Sequence, residues 1–175
     1  MKVLFTLLIF SLAASAQNPP AASSAPFADD AKSIDAIIHA MYDVISGPAG
    51  GRNWQRFHAL FLPQSTLATV FHKNGQVRHA VMTPDDYVHG TEPYFRQHAF
   101  YESEVARQTE RFGNIAHVFT TYASRRDPKG APFERGINSV ELLNDGSRWW
   151  ILTISWDSER PDNPIPAQYL KNGPS

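Results

Sequence analysis

The chain has 175 residues, with 16 Lys and Arg against 17 Asp and Glu, and it contains no cysteine. Charges of both signs are interspersed and form no basic block, so the sequence gives no reason to expect nucleic acid as a partner. The lack of cysteine excludes a disulfide framework, a lipid-modified N-terminal cysteine and a cysteine nucleophile. The length suits one domain, which must be stabilised by the burial of apolar side chains.

Residues 1–16 have the pattern of a secretory signal peptide. Lys2 precedes an apolar run that ends at Ala14, and the small residues Ala14 and Ala16 stand where signal peptidase cleaves. A membrane-spanning helix needs about 20 apolar residues, and this run is shorter. We therefore expect cleavage near Ala16, no membrane anchor, and a mature protein that is periplasmic or secreted.

Proline and small residues dominate 17–28, so this segment is predicted to be a disordered leader. The folded domain is predicted over 29–160. Residues 161–175 then form a C-terminal tail.

Helices and strands are predicted from apolar spacing and from turn residues. Apolar residues at helical spacing predict a first helix over 33–45, a short second helix after Asn53, and a third helix over 83–96. An Asn-Gly pair predicts a tight hairpin within 66–82. Four longer strands are predicted after the third helix, at about 99–111, 115–126, 133–143 and 148–156. Helices that are segregated from the strands in this way predict an α+β fold.

This order of elements resembles the cone-shaped fold of the nuclear transport factor 2-like superfamily, which includes SnoaL-like proteins and ketosteroid isomerase. The resemblance is carried by the amphipathic first helix, by Trp54, Phe57 and Phe61, and by the closing strand pair over 136–156. It implies three N-terminal helices and a small hairpin packed on a curved antiparallel sheet around an apolar pocket. It also implies, often, a dimer formed through the sheet. Together with the signal-peptide pattern, it predicts an exported branch of that superfamily.

The loop at 113–114 predicts the register of the two strands that it joins. Glu110 should face His117, and this pair is either an acid/base dyad or a cross-strand charge pair on a solvated face. The opposite face should place Val105 beside Tyr122, where the two side chains offer a pocket lining.

The final two strands are apolar on both faces if Asp145-Gly146 is their loop. Asn138 then pairs with Thr153, and Trp156 lies on the other face. A strand pair of this kind is expected where one face lines the pocket and a second subunit covers the other, so we expect a homodimer. The sequence does not decide which of the two faces lines the pocket.

Nine residues are the candidates for a ligand pocket: Tyr42, Trp54, Phe57, Val105, Val118, Tyr122, Asn138, Trp150 and Trp156. Tyr42 lies at the edge of the apolar stripe of the first helix, where a pocket hydroxyl and a core tyrosine are both possible. Asp43 lies opposite that stripe and is expected to be solvated.

Motifs for common enzyme classes are absent from the sequence. It has no phosphate loop, no dinucleotide-binding glycine pattern and no Gly-x-Ser-x-Gly. His72 and His79 should share one face of the hairpin, but no third ligand stands at a fixed spacing from them. We expect neither a metal nor a cofactor.

The sequence therefore favours an exported, pocketed domain that binds a small apolar or aromatic molecule. One alternative is a cofactor-free isomerase, dehydratase or cyclase that uses a pocket acid/base. Another is a module that binds a protein of the cell envelope. A carboxylate or histidine that points into the pocket near a hydroxyl would distinguish the enzyme from the binding domain.

We expect the mature exported protein to start at Gln17, because the small residues Ala14 and Ala16 flank the cleavage position. Intact-mass spectrometry of protein recovered from the periplasm or the medium checks this. A mass that includes Met1 would contradict export.

Overall fold

The computed structural model of the chain describes residues 26–171. The predicted signal peptide (1–16) lies outside the described residues, and so does the leader up to residue 25. Cleavage and export therefore stay predictions. Within residues 26–171, no helix is both long enough and apolar enough to cross a membrane.

Three α-helices are present: α1 (Ile34–Ile45), α2 (Trp54–His58) and α3 (Pro84–Gln97). Each begins directly after a side chain that accepts a backbone N–H of the first turn. Ser33 accepts from the third residue of α1, Asn53 does the same for α2, and Thr83 forms a capping box with Asp86. The three predicted helix starts are thus explained by local capping.

Six strands form one sheet: β1 (Phe61–Lys73), β2 (Gln76–Met82), β3 (Tyr101–Phe112), β4 (Ile115–Arg125), β5 (Glu134–Asn144) and β6 (Trp149–Ser158). Their spatial order is β2-β1-β6-β5-β4-β3. Neighbouring strands are antiparallel except β1 and β6, which are parallel. The α+β class is confirmed, but the hairpin β1–β2 extends the main sheet through this parallel pair instead of packing on it.

The inner face of the sheet, which we define as the face against α1, holds the apolar core. Ile37 and Ile38 of α1 are fully buried, as are Val118, Val140 and Ile151 of the central strands. Burial of these side chains is the main source of stability in a chain without disulfides.

The outer face is partly covered by the C-terminal segment 159–171. Thr121 Oγ1 donates to the carbonyl of Tyr169 (2.6 Å), and the Tyr169 ring meets the Phe119 ring at 4.9 Å between centroids. Gln108 Nε2 donates to the carbonyl of Gln168 (3.2 Å). The described part of the predicted tail, residues 161–171, therefore packs on the sheet.

The register of β3 and β4 agrees with the prediction near their turn and differs further away. Glu110 lies opposite His117, as predicted. A bulge between Glu104 and Ala106 then shifts the pairing, so that Tyr122 lies opposite Glu104 and not opposite Val105. Val105 is the extra residue and is 45% exposed, so its prediction as a pocket-lining partner of Tyr122 is wrong.

The predicted register of β5 and β6 is wrong because their loop has four residues, 145–148, and not two. The Asp145 carboxylate accepts the backbone N–H groups of Ser147 and Arg148, which stabilises the longer turn. A second irregularity, near Leu152, adds a further shift. Asn138 therefore lies opposite Trp156, which moves the Trp156 side chain to the inner face.

Gly136 gives room to the side chain of Tyr122. The two residues are cross-strand partners, and a Cβ atom at position 136 would lie against the backbone oxygen of Asp157 and 2.5 Å from the Tyr122 hydroxyl. Only glycine lets the tyrosine lie across the sheet towards β6.

We expect Gly136→Ala to lower the free energy of unfolding by about 1–3 kcal/mol, because the added methyl group meets backbone and a buried ring. Urea denaturation measures the change. Gly51→Ala is the matched control, since no atom lies within 4 Å of a Cβ at that position. Equal stability of the two variants would contradict the packing of Tyr122 on Gly136.

Candidate functional site

A groove of about 560 Å³ runs between α1 and the edge strand β3. It is lined by Asp35, His39, Tyr42, Asp43, Ser46, Tyr101, Glu102, Ser103, Glu104, Arg107, Arg125 and Pro128. We call it the α1–β3 groove. Because β3 is the edge of the sheet, no further strand within residues 26–171 closes this side.

Ser46 fixes the end of α1 to the start of β3. Its Oγ accepts the backbone N–H of Glu102 (2.9 Å) and donates to the carbonyl of Tyr42 (2.7 Å). Gly47 and Phe100 add two backbone hydrogen bonds beside it, of 2.7 and 3.0 Å. The position of Glu102 relative to the helix is therefore set by direct bonds.

Glu102 is the groove carboxyl with the most unusual environment. It lies on the inner face opposite Ser124, whose hydroxyl donates to Glu102 Oε2 (2.7 Å). Desolvation by burial raises the pKa of Glu102 to about 7, and the nearby Glu134 adds to this rise. Within residues 26–171, no hydrogen bond reaches Oε1 of Glu102. The carboxyl therefore exists in both protonation states near neutral pH, with one oxygen free to bond a ligand.

The other three carboxylates of the groove are paired with arginines. Asp35 and Glu104 both contact Arg107, at 3.0 and 3.2 Å. Asp43 is half exposed, as the sequence predicted, and contacts Arg56. Among the described residues Glu102 is the one groove carboxyl without such a partner, so its charge is the least compensated.

Tyr42 belongs to a buried chain of hydrogen bonds whose direction can be assigned. Thr120 Oγ1 donates its only proton to Glu104 Oε1 (2.7 Å), so the Tyr42 hydroxyl, 3.0 Å away, must donate to Thr120. Asn138 Nδ2 donates to the same tyrosine oxygen (3.1 Å). Burial raises the pKa of Tyr42, which keeps the phenol protonated. Its proton is thus bound within the protein while Glu104 is ionised.

A second carboxylate on the inner face accepts two hydroxyl groups. Glu134 Oε1 accepts from Tyr122 (3.0 Å) and from Ser158 (3.1 Å). Glu134 lies opposite Ser124, so Glu102, Ser124 and Glu134 stand side by side on three neighbouring strands. This row explains why the charge of Glu134 acts on Glu102.

Of the nine predicted pocket residues, the structure places only Tyr42 in the α1–β3 groove. Asn138, Tyr122, Val118 and Phe57 are buried behind it in the core.

Trp54 and Trp156 belong to a separate aromatic cluster on the helix side. Tyr87 connects this cluster, because its ring stacks on Phe57 (5.4 Å) and meets Trp156 edge-on (6.4 Å). Trp54 stacks on Phe95 at 6.0 Å. Trp150 lies elsewhere, on the outer face, where its Nε1 donates to Asp145 (2.7 Å).

Sequence reasoning missed Glu102, Glu104, Thr120 and Ser124. Strict alternation along β3 would put both glutamates on the same face as Glu110. The bulge at Val105 turns Glu102 and Glu104 to the inner face. The available signal was the pair of hydroxyl residues, Thr120 and Ser124, on the same face of β4 as the apolar Val118.

The histidines form no larger cluster. His72 and His79 share one face of the hairpin β1–β2, as their register predicted. His117 Nε2 lies 3.0 Å from Ser139 Oγ and 3.9 Å from Glu141, on the outer face. The structure, over residues 26–171, holds no group of three or more His, Asp or Glu side chains that could bind a metal ion.

Comparison with known proteins identifies the fold. No protein-family model and no curated protein sequence matches the chain. The solved structures with a similar fold include the following three. A protein of unknown function from Mycobacterium tuberculosis is 12% identical, with 78% of this chain and 80% of that chain covered and a TM-score of 0.55. A protein from Nostoc punctiforme with a cystatin-like fold is 7% identical, with 77% and 98% covered and a TM-score of 0.53.

The third is a candidate ketosteroid isomerase from Parabacteroides distasonis, which is 10% identical, with 76% and 98% covered and a TM-score of 0.52. The chain has the nuclear transport factor 2-like, ketosteroid isomerase-like fold. At these identities the likeness shows the fold alone, because proteins that share a fold can differ in function.

We expect Glu102→Gln to change the pH dependence of stability. The folded-state pKa of Glu102 is raised from 4.5 to about 7, so wild-type protein loses stability as pH rises through that interval. The difference in unfolding free energy between the variant and wild type should therefore shift in favour of the variant by up to about 3 kcal/mol between pH 4.5 and pH 8. Urea denaturation at a series of pH values measures this difference. Glu110→Gln, on the outer face, is the control, and parallel profiles for all three proteins would disprove the assignment.

Proposed function

We propose that the protein binds a small polar or aromatic molecule in the α1–β3 groove and that Glu102 is its main polar anchor. The observation that carries the proposal is the carboxyl of Glu102, which opens on the groove without an arginine partner among the described residues. A carboxyl that is desolvated and left partly unbonded lowers stability, and such groups are concentrated at functional sites.

The lining of the groove indicates the chemistry of the ligand. Its volume of about 560 Å³ falls within the range of small-molecule sites. Tyr101 and Pro128 supply apolar surface. The carboxylates of Asp35, Asp43 and Glu104 are each paired with an arginine, which leaves Glu102 as the uncompensated negative charge among the described residues. We infer a neutral or cationic molecule with a hydrogen-bonding group, which is more polar than the apolar ligand expected from the sequence.

A cofactor-free enzyme is the second candidate, and the pKa of about 7 at Glu102 favours it. Glu102 would take a proton from a carbon next to a carbonyl group and return it to another position, as an isomerase does. That reaction also needs a hydrogen-bond donor for the carbonyl oxygen. The Tyr42 proton is bound to Thr120 while Glu104 is ionised, so the described network supplies no such donor from this tyrosine. Binding is therefore better supported than catalysis.

Export is part of the same proposal. The N-terminal signal pattern would place the groove in the periplasm or outside the cell. The protein would then bind its ligand in the absence of cytoplasmic cofactors.

We expect benzylamine and phenol to bind in the α1–β3 groove and benzoate to bind more weakly, because benzoate carries the same charge as ionised Glu102. Two-dimensional NMR titration at pH 8 should show shifts at the amides of Ser46, Glu102 and Ser124. Glu102→Gln should weaken benzylamine about tenfold or more, since the lost hydrogen bond is charge-assisted.

The affinity for benzylamine should also rise between pH 6 and pH 8, as Glu102 becomes ionised. Glu110→Gln is the matched control and should leave every titration unchanged. Shifts confined to other surfaces, or equal affinity in Glu102→Gln, would disprove the site.

A further inference from the structure

A second charged side chain of the α1–β3 groove lacks a partner of opposite charge. Arg125, the last residue of β4, lines the groove together with Ser103 and Pro128. Its Nη1 donates to Ser103 Oγ (2.9 Å) and to the carbonyl of Ala123 (3.2 Å). Within residues 26–171 no carboxylate pairs with its guanidinium. The groove therefore holds an uncompensated positive charge as well as the uncompensated carboxyl of Glu102.

The hydrogen bond to Ser103 holds the Arg125 guanidinium over the edge strand. Arg125 lies opposite Tyr101, and Ser103 is two residues further along β3 on the same face as Tyr101. Among the described residues, β3 has no neighbouring strand on its other side. The guanidinium is thus drawn from β4 across β3, towards the open edge along which the groove runs.

Most of the Arg125 guanidinium is free to bond a ligand. Both hydrogen bonds use Nη1, and none from Nε or Nη2 reaches a described residue. A guanidinium has five N–H donors in one plane, and a carboxylate accepts two of them in parallel. Because Ser103 and Ala123 already restrain the side chain, binding costs little further conformational entropy. The arrangement suits a carboxylate on the ligand.

The other arginine that lines the groove is already paired. Arg107 contacts Asp35 at 3.0 Å and Glu104 at 3.2 Å. Arg125 is therefore the groove arginine that an anionic group can approach without displacing a carboxylate of the described chain.

Glu102 and Arg125 lie on opposite sides of β3. Glu102 is on the inner face opposite Ser124, whereas the next pair, Tyr101 and Arg125, has its side chains on the outer face. Both residues line one groove because β3 is the edge strand and the groove extends around it. The strand keeps the two charges from pairing with each other. A ligand that contacts both needs two charged groups on a spacer that is longer than one carbon atom.

The groove offers apolar surface to such a spacer. Tyr101 is the cross-strand partner of Arg125, and Pro128 follows in the loop after β4. An aromatic ring between the two charged groups would pack on this surface.

We propose that the ligand of the α1–β3 groove is a zwitterion, an inference that rests on the proposed binding function of the groove. Its ammonium group binds Glu102, its carboxylate binds Arg125, and an aromatic ring or a spacer of similar length separates the two. Such a molecule has no net charge, and each of its charged groups meets the uncompensated charge of opposite sign.

4-(Aminomethyl)benzoate tests the proposal, because it adds a carboxylate to benzylamine on the far side of the ring. In two-dimensional NMR titration of the wild-type chain at pH 8, it should bind at least about fivefold more tightly than benzylamine. The amides of Ser103 and Arg125 should shift together with that of Glu102. L-Phenylalanine, which carries both charges on one carbon atom, should bind no more tightly than benzylamine. Binding of L-phenylalanine as tight as that of 4-(aminomethyl)benzoate would overturn the spacer.

Arg125→Gln should change the two affinities in opposite directions. The affinity for 4-(aminomethyl)benzoate should fall at least about fivefold, because the carboxylate loses its partner. The affinity for benzylamine should rise by up to about twofold, because a positive charge is removed from the groove. Arg125→Lys keeps the charge and should restore part of the lost affinity.

Arg126→Gln is the matched control, since it makes the same change one residue further on. The Arg126 guanidinium lies over the rings of Tyr94 (5.1 Å) and Phe133 (4.5 Å) and does not line the groove. This variant should leave both affinities as in wild type. Equal losses in Arg125→Gln and Arg126→Gln would overturn the role of Arg125.

The wild-type titrations separate a failure of the zwitterion from a failure of the binding site. If benzylamine shifts the amide of Glu102 and 4-(aminomethyl)benzoate binds equally or more weakly, the zwitterion is wrong and the site at Glu102 stands. If neither compound shifts that amide, the proposed function is wrong and the zwitterion with it.

Discussion

The bulge at Val105 determines the chemistry of the α1–β3 groove. Side chains alternate along a strand, so one extra residue reverses the face of every residue on one side of it. Glu110 stays on the outer face beside His117, whereas Glu102 and Glu104 turn inward and open on the groove. Without this single irregularity the groove would lose both of its inner carboxylates, and the core would lose the acceptor that orders Thr120 and Tyr42.

Two glutamates separated by one residue acquire opposite electrostatic roles. Glu104 contacts Arg107 and accepts from Thr120, so it fixes the direction in which a buried tyrosine donates its proton. Among residues 26–171 the Glu102 carboxyl has only a serine hydroxyl as a partner, and its desolvation raises its pKa to about 7. Glu104 supports the fold, and Glu102 is available to a ligand. This division is the physical basis for proposing a binding site at Glu102.

The two faces of the sheet serve different purposes. The inner face carries the apolar core and the row of Glu102, Ser124 and Glu134. Gly136 on this face lets Tyr122 reach Glu134 and Ser158. The outer face carries the C-terminal segment over Phe119 and Thr121. Exposed apolar side chains, among them Phe112 and Ile115, lie at its turn end.

The sequence by itself determined the helices, strands and turns, because capping residues, turn residues and the spacing of apolar residues depend on near neighbours in the chain. It predicted the three helix starts, the Asn-Gly hairpin, the pairing of Glu110 with His117 and the α+β fold. Only the tertiary structure decided the site. The bulge at Val105 and the four-residue loop before Trp149 change which residues share a face, and the pKa of Glu102 depends on burial by residues far away in sequence. Such effects arise from packing between distant segments, which no local pattern of residues encodes.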